Sequence, residues 1–247
     1  MLAVRTSSVL PVARRLAALA SFALILPAMA APLEPVASLA AREKAPFLDT
    51  LKELVSIESG SADIEGLNRL SQLIFDKLKA LGGEVEFIAP SLGDTPPMFD
   101  TPKQIGRMVH ARFAGTGAKK VMLIAHMDTV YQRGMLARQP FRIDGKRAYG
   151  LGIADDKQGV AAILHIVAVL KAMNFRDYGT LTVLINGDEE VSSPGSRATL
   201  TKMGAEHDAV FSFEASLLES DRVAVATADR KSTRLNSSHI PLSRMPS

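Results

Sequence analysis

The 247-residue sequence contains no cysteine, which excludes a disulfide framework, a cysteine nucleophile and thiolate metal ligands together. Any metal held by this chain must use His, Asp and Glu. The sequence also lacks a long apolar run. The run Leu16 to Leu26 falls short of the roughly 20 residues a membrane-spanning helix needs, and no later stretch reaches that length. Internal repeats, coiled-coil heptads and long charge runs are absent too, which argues against solenoid and coiled-coil architectures. What is present is ordinary globular usage, 47% hydrophobic and 22% charged, enough to bury a core and unlike a disordered or fibrous chain.

The formal net charge of +3 suggests an acidic partner until its distribution is considered. Arg5, Arg14 and Arg15 lie within residues 1–30, and Arg230, Lys231, Arg234 and Arg244 lie within residues 230–247, with no acid in either end. Seven of the 29 basic residues therefore sit in the two ends, and the remaining 22 face all 26 acids, so residues 31–229 sum to −4. This body is mildly acidic, which speaks against a nucleic-acid partner.

Residues 1–30 read as a signal peptide. A basic start ending at Arg14-Arg15 precedes the apolar run, and Ala28-Met29-Ala30 supplies the small residues of a cleavage site. The expectation is cleavage after Ala30 and a periplasmic or secreted mature chain with no membrane attachment.

Residues 31–229 alternate helical and strand patterns, the mark of an α/β domain. Helices are expected over Phe47 to Val55, Ile64 to Leu81, Lys157 to Met173 and from Pro194 onward. Glu84 to Ala89 and Ile105 to Phe113 alternate like half-buried strands, and residues 90–102 read as a loop. Val121 to Ala125, Leu181 to Ile185 and Ala209 to Phe213 are continuous apolar runs suited to strands buried on both faces, and Arg222 to Ala226 is a candidate fourth.

Each of the first three apolar runs leads into chemistry. Val121 to Ala125 is followed by His126-Met127-Asp128, Leu181 to Ile185 by Asp188-Glu189-Glu190, and Ala209 to Phe213 by Glu214. Ligands of open α/β sheets collect beyond the carboxyl ends of strands, so these groups should share one crevice. Asp155-Asp156 stands in a glycine-containing loop just before a helix. Singly, each group has a plain structural explanation. His126 and Asp128 fit a hydrogen-bonded pair, Asp155-Asp156 a helix cap, Glu189-Glu190 a solvated turn and Glu214 an exposed turn. Together at successive strand ends they form a His and carboxylate set that suits zinc, cobalt or manganese, and clustered carboxylates need a cation to offset their repulsion.

The segments His126-Met127-Asp128-Thr129-Val130-Tyr131, Gly152-Ile153-Ala154-Asp155-Asp156-Lys157, Asp188-Glu189-Glu190 and Ser212-Phe213-Glu214 resemble the metal motifs of the co-catalytic zinc exopeptidases, which include glutamate carboxypeptidases, aminoacylases and desuccinylases. The likeness is strongest to the bacterial folate-cleaving glutamate carboxypeptidases and runs from about Pro46 to Ala226, with intervals of 29 residues from His126 to Asp155 and 24 from Glu190 to Glu214. The resemblance implies a three-layer α/β/α catalytic domain with a mostly parallel mixed sheet, and two zinc ions, with Co2+ or Mn2+ as alternatives. It implies that His126 and Glu214 bind one ion, Glu190 the other, and Asp155 bridges both. Asp128 supports His126, and Glu189 is the general base. If Glu189 and Glu190 lie in an extended segment, they point to opposite sides, one toward water and one toward metal. A cis peptide is implied between Asp155 and Asp156. The implied reaction is hydrolytic release of a C-terminal amino acid, glutamate above all, from a peptide or acyl-amino-acid bond. A homodimer formed through a lid domain is implied for the family's full-length form.

Other features carry less. Lys157 is expected to meet substrate or to pair with Asp155 or Asp156. His165 is expected to pack on an apolar helix, and His110 and His207 to lie on the surface. Gly150-Leu151-Gly152 has Asp155 where a dinucleotide fingerprint needs its third glycine, and Ser192-Ser193 lacks a nucleophile-elbow context. After about Ala226 the sequence departs from the family. Residues 230–247 are polar and basic without apolar periodicity, resemble a translated sequencing adapter, and are expected to be a non-native tail. The lid and last metal-binding His of the family are not found, so the expectation is an incomplete catalytic domain with an impaired second metal position. His239, in the tail, is no substitute ligand.

Overall fold

The computed structural model describes residues 35–93 and 95–215. The leader at residues 1–30, the strand expected at 222–226 and the tail from residue 230 lie outside the described residues. Two helices come first, α1 (Val36–Val55) and α2 (Ile64–Ala80). α1 begins well before the expected Phe47 and continues through Pro46. A proline lacks the N–H that an interior turn uses and so suggests a boundary; here tertiary packing carries the helix past it. Glu43, on that early stretch, lies 2.5 Å from His165 Nδ1. Asp63 caps α2 by accepting from Gly66 N at 3.0 Å, satisfying one of the donors a helix start leaves over.

The strands are β1 (Glu84–Ile88), β2 (Met108–Ala114), β3 (Lys120–His126), β4 (Arg142–Asp144), β5 (Arg147–Tyr149), β6 (Thr180–Asn186) and β7 (Ala209–Ser212); α3 (Gln158–Ala172) precedes β6 and α4 (Arg197–Ala205) follows it. Five strands form one mixed sheet in the order β1-β2-β6-β3-β7. β2 runs antiparallel to β1 and β6, whereas β3 is parallel to both β6 and β7. β4 and β5 pair separately, a hairpin missed by periodicity although its Asp144-Gly145 step is a turn signal; Gly145 takes φ +58° there.

Strand alternation sorts the core into two sides. Val109, Ala111, Leu123 and Val183 join the cluster packed under α1, α2 and α3. Met108, Met122 and Leu184 face the other way, against Leu200 and Met203 of α4. The result is the expected three-layer arrangement. β6 is central and almost wholly buried, which explains its unbroken apolar run. β7 corrects the expectation of a third buried strand. It is the outermost strand of the sheet among the described residues, and Val210 and Phe211 are 42% and 54% exposed.

Candidate metal centre

Because β3, β6 and β7 are parallel, their carboxyl ends lie on one edge of the sheet, and each ends in a site residue. His126 is the last residue of β3, Glu189 and Glu190 begin a 3-10 turn after β6, and Glu214 follows β7 by two residues. Backbone bonds from Met127 N to Asn186 O and from Phe213 N to Ile124 O, both 2.9 Å, carry the pairing into these loops. Asp155 arrives from the turn Ile153–Lys157 ahead of α3, and the Asp155–Asp156 peptide is cis, as the resemblance implied. Gly152 starts that turn at φ +65°; a Cβ there would also lie 2.3 Å from Thr129 Cγ2, so both backbone and space require glycine. Gln158 Nε2 donates to Glu214 O at 3.3 Å, joining the start of α3 to the segment after β7.

His126 is the centre of the cluster and is 1% exposed. Its Nδ1 lies 3.1 Å from Asp128 O and 3.3 Å from Asp128 Oδ1. Its Nε2 faces acids on several sides, 3.1 Å from Asp155 Oδ1 and 3.9 Å from both Glu189 Oε2 and Glu214 Oε2. His126, Asp155 and Glu190 each offer a ligand atom within 4.8 Å of the others. Burial opposes a charged His126, but bonds to Asp128 and Asp155 outweigh it and push the imidazole up to about 12. Burial first, then repulsion from Asp155, raises Glu190 to about 7. Burial, with Glu214 adding to it and His126 opposing, raises Asp156 to about 8. One buried imidazole ringed by carboxylates, with Glu190 and Asp156 both raised, is the donor set a divalent cation would relieve, and its N/O chemistry fits zinc.

Asp128 fixes this arrangement. It is fully buried; Oδ1 accepts from Glu189 N at 3.0 Å, and Oδ2 accepts from Ser61 Oγ at 2.8 Å and Glu190 N at 3.1 Å. One carboxylate therefore orients both the imidazole and the turn bearing the two glutamates. That turn is 3-10, so the opposite-sides geometry of an extended segment does not apply to Glu189 and Glu190. Asp188 is a structural neighbour: it accepts from Gly195 N (2.6 Å), Ser196 N (3.0 Å) and Ser196 Oγ (2.6 Å) and so folds the loop leading to α4.

The structure brings all six expected residues, His126, Asp128, Asp155, Glu189, Glu190 and Glu214, to one place. It corrects three lesser expectations. Lys157 is buried and donates to Ile57 O at 2.7 Å rather than pairing with Asp155 or Asp156; desolvation lowers its ammonium to about 8. His110 and His207 are buried, not superficial, because both stand on or against the α4 face of the sheet, where His110 meets Glu86 at 2.8 Å and His207 meets Thr182 Oγ1 at 2.8 Å. His165 packs as expected, with Thr50 Oγ1 3.0 Å from Nε2 and the Phe47 ring beside it. Ser61 carries no motif and was not foreseen; only its contact with Asp128, across 67 residues of sequence, gives it away.

Residues 122–233 match the model of Peptidase family M20/M25/M40. Carboxypeptidase G2 of Pseudomonas sp. (strain RS-16) is 40% identical over 186 residues, which are 75% of this chain and 42% of that protein. The Cys-Gly metallodipeptidase DUG1 of Candida albicans is 28% identical over 176 residues, 66% of this chain and 36% of that one. The chain thus spans about two fifths of the length of these relatives. Among solved structures, human carnosine dipeptidase 1 superposes with a TM-score of 0.58 at 21% identity, covering 72% of this chain and 40% of that one. The dipeptidase Dug1p of Saccharomyces cerevisiae superposes with a TM-score of 0.60 at 18% identity and the same coverage. These two likenesses are of fold.

Proposed function

We propose that the chain belongs to peptidase family M20/M25/M40 and that it forms the metal-bearing catalytic domain of an exopeptidase that releases a C-terminal amino acid, glutamate above all, from a peptide or acyl-amino-acid bond. The observation that carries the reading is the convergence of Asp155, Glu189 and Glu214 on the Nε2 of His126, with Glu190 in ligand range. His126, Asp155 and Glu214 would hold one zinc ion, and Asp155 and Glu190 would contribute to a second. Bound there, such ions supply Lewis acidity that polarises the scissile carbonyl and acidifies the attacking water. Glu189 accepts the water's proton at its carboxylate and passes it to the departing amine nitrogen, acting first as base and then as acid. Asp128 keeps Nδ1 of His126 engaged so that Nε2 faces the metal, and holds the turn that carries Glu189.

Among the described residues His126 is the one histidine at this cluster; His110, His165 and His207 are engaged elsewhere. Catalytic zinc commonly takes three protein ligands, and among the described residues the position served by Asp155 and Glu190 has these two. Export follows from the residue 1–30 pattern. Among the described residues, no helix is long and apolar enough to cross a membrane.

The test is Glu189→Gln, assayed at zinc concentrations that fill both positions. Zinc affinity is expected to stay at the parent value, while hydrolysis of an N-acyl-glutamate falls by at least about a hundredfold. Unchanged turnover would remove Glu189 from the base role.

A further inference from the structure

Beside the metal cluster lies a cleft of about 710 Å3 whose wall includes Glu190 and Ser61, so it opens directly onto the site. Its two sides are locked together. Thr129 N donates to Ser59 O at 2.9 Å and Ser61 N to Thr129 O at 3.2 Å, while the Glu58 carboxylate accepts from Gly134 N (2.7 Å) and Leu136 N (2.9 Å). At Gly60 a Cβ would lie 2.3 Å from Tyr131 O, so the close approach of the two segments depends on that glycine. The cleft is thus preformed by hydrogen bonds and needs no ligand to shape it.

Its chemistry is one-sided. Ala62, Ile64, Val130, Tyr131 and Val191 give it an apolar lining, and Val130 is 68% exposed, an unusual solvent contact for valine next to a charged centre. Asp63, Glu65 and Asp100 add negative charge, and among the described residues Arg133 is the one cation on the wall. Arg133 is already committed: Nε donates to Asp63 Oδ2 at 3.2 Å, and Nη2 donates to Asp63 Oδ1 and to Glu65 Oε2 at 2.8 Å. Recognition of a carboxylate needs a cation or free donors, and this wall offers a neutralised guanidinium among acids.

Resting on the metallopeptidase reading above, we propose that this cleft seats the acyl side of the scissile bond and selects a neutral acyl group over an anionic one, the carboxylate of the leaving amino acid being bound elsewhere. Within the family's range of acyl groups this places a succinyl group among the poor ligands. Val130 and Tyr131 are the specificity-determining contacts, and the Arg133 pairing with Asp63 and Glu65 is the excluding one.

The test uses the full chain carrying Glu189→Gln, loaded with zinc and titrated calorimetrically with N-isohexanoyl-glutamate and N-succinyl-glutamate. The two acyl groups have nearly the same shape, and only the second ends in a carboxylate. The isohexanoyl compound is expected to bind at least about tenfold more tightly. Adding Val130→Lys places a cation on an exposed cleft position and is expected to bring the two compounds within about twofold, with zinc affinity unchanged. Equal binding in the parent, a preference for succinyl, a preference that Val130→Lys leaves intact, or binding of neither compound overturns the proposal. Zinc separates the two levels. A chain that does not bind zinc contradicts the metallopeptidase reading itself, whereas zinc-dependent binding without preference removes only the cleft assignment.

Discussion

The fully buried Asp128 carboxylate receives Ser61 Oγ and the amides of Glu189 and Glu190, and lies 3.3 Å from His126 Nδ1. Removing a partner that orients a metal-binding imidazole commonly costs 10–100-fold in metal affinity. Asp128→Ala is therefore expected to weaken zinc binding by about that factor, measured by competition with a chelating dye; an unchanged affinity would show that His126 is held by other means. At this scale the sequence was informative where motifs ended strands, as with His126, Glu190 and Glu214, or preceded a helix, as with Asp155. It was silent for Ser61 and misleading for Lys157, His110 and His207. Those residues act through contacts between distant segments, such as Lys157 with Ile57, 100 residues apart. No local spacing encodes such contacts.

Where α2 begins, the Asp63–Arg133 pair ties the helix start to the loop after β3. The hydrogen bond from Arg133 is the main cause holding the Asp63 carboxyl below its ordinary value. Ionised Asp63 then favours the folded state above about pH 4, and this contribution is lost as pH falls through the lowered folded-state value. Arg133→Ala is accordingly expected to lower the urea midpoint at pH 7 and to leave it nearly unchanged near roughly pH 2; equal losses at both would assign Arg133 a packing role. Two further substitutions separate the buried elements from the edge. Ile74→Ala in α2 empties a fully buried site and should cost about 2–5 kcal/mol, whereas Val210→Ala on exposed β7 should stay within about 0.5 kcal/mol, both read by urea unfolding. Periodicity anticipated α2, α3, β3 and β6 closely. It could not tell β7 from a core strand, because a short apolar run looks alike at the centre and the edge of a sheet. It began α1 only after Pro46, whose lost donor proved tolerable in a helix packed against α3.

At the scale of the whole molecule, the order of apolar strands with acids at their ends was enough to foresee an α/β domain and one shared crevice, while the three layers were implied by the family resemblance. The parallel set β3, β6 and β7 then explains why residues as far apart as His126 and Glu214 meet. The basic sum of the sequence lies in its two ends, and the mildly acidic body concentrates carboxylates where a cation would offset them. The 710 Å3 cleft, by contrast, had no signature in the sequence, because its walls come from separate segments, two of them joined by the Asp63–Arg133 pair across 70 residues and others contributing Asp100, Glu190 and Val191. The claim on which the rest depends is that the His126 cluster is a zinc site. Its most direct measurement is an equilibrium zinc titration of the full chain beside His126→Ala. The account predicts tightly bound zinc in the parent chain and its loss in His126→Ala. Zinc binding that His126→Ala leaves unchanged, or no tight zinc in the parent chain, would contradict it.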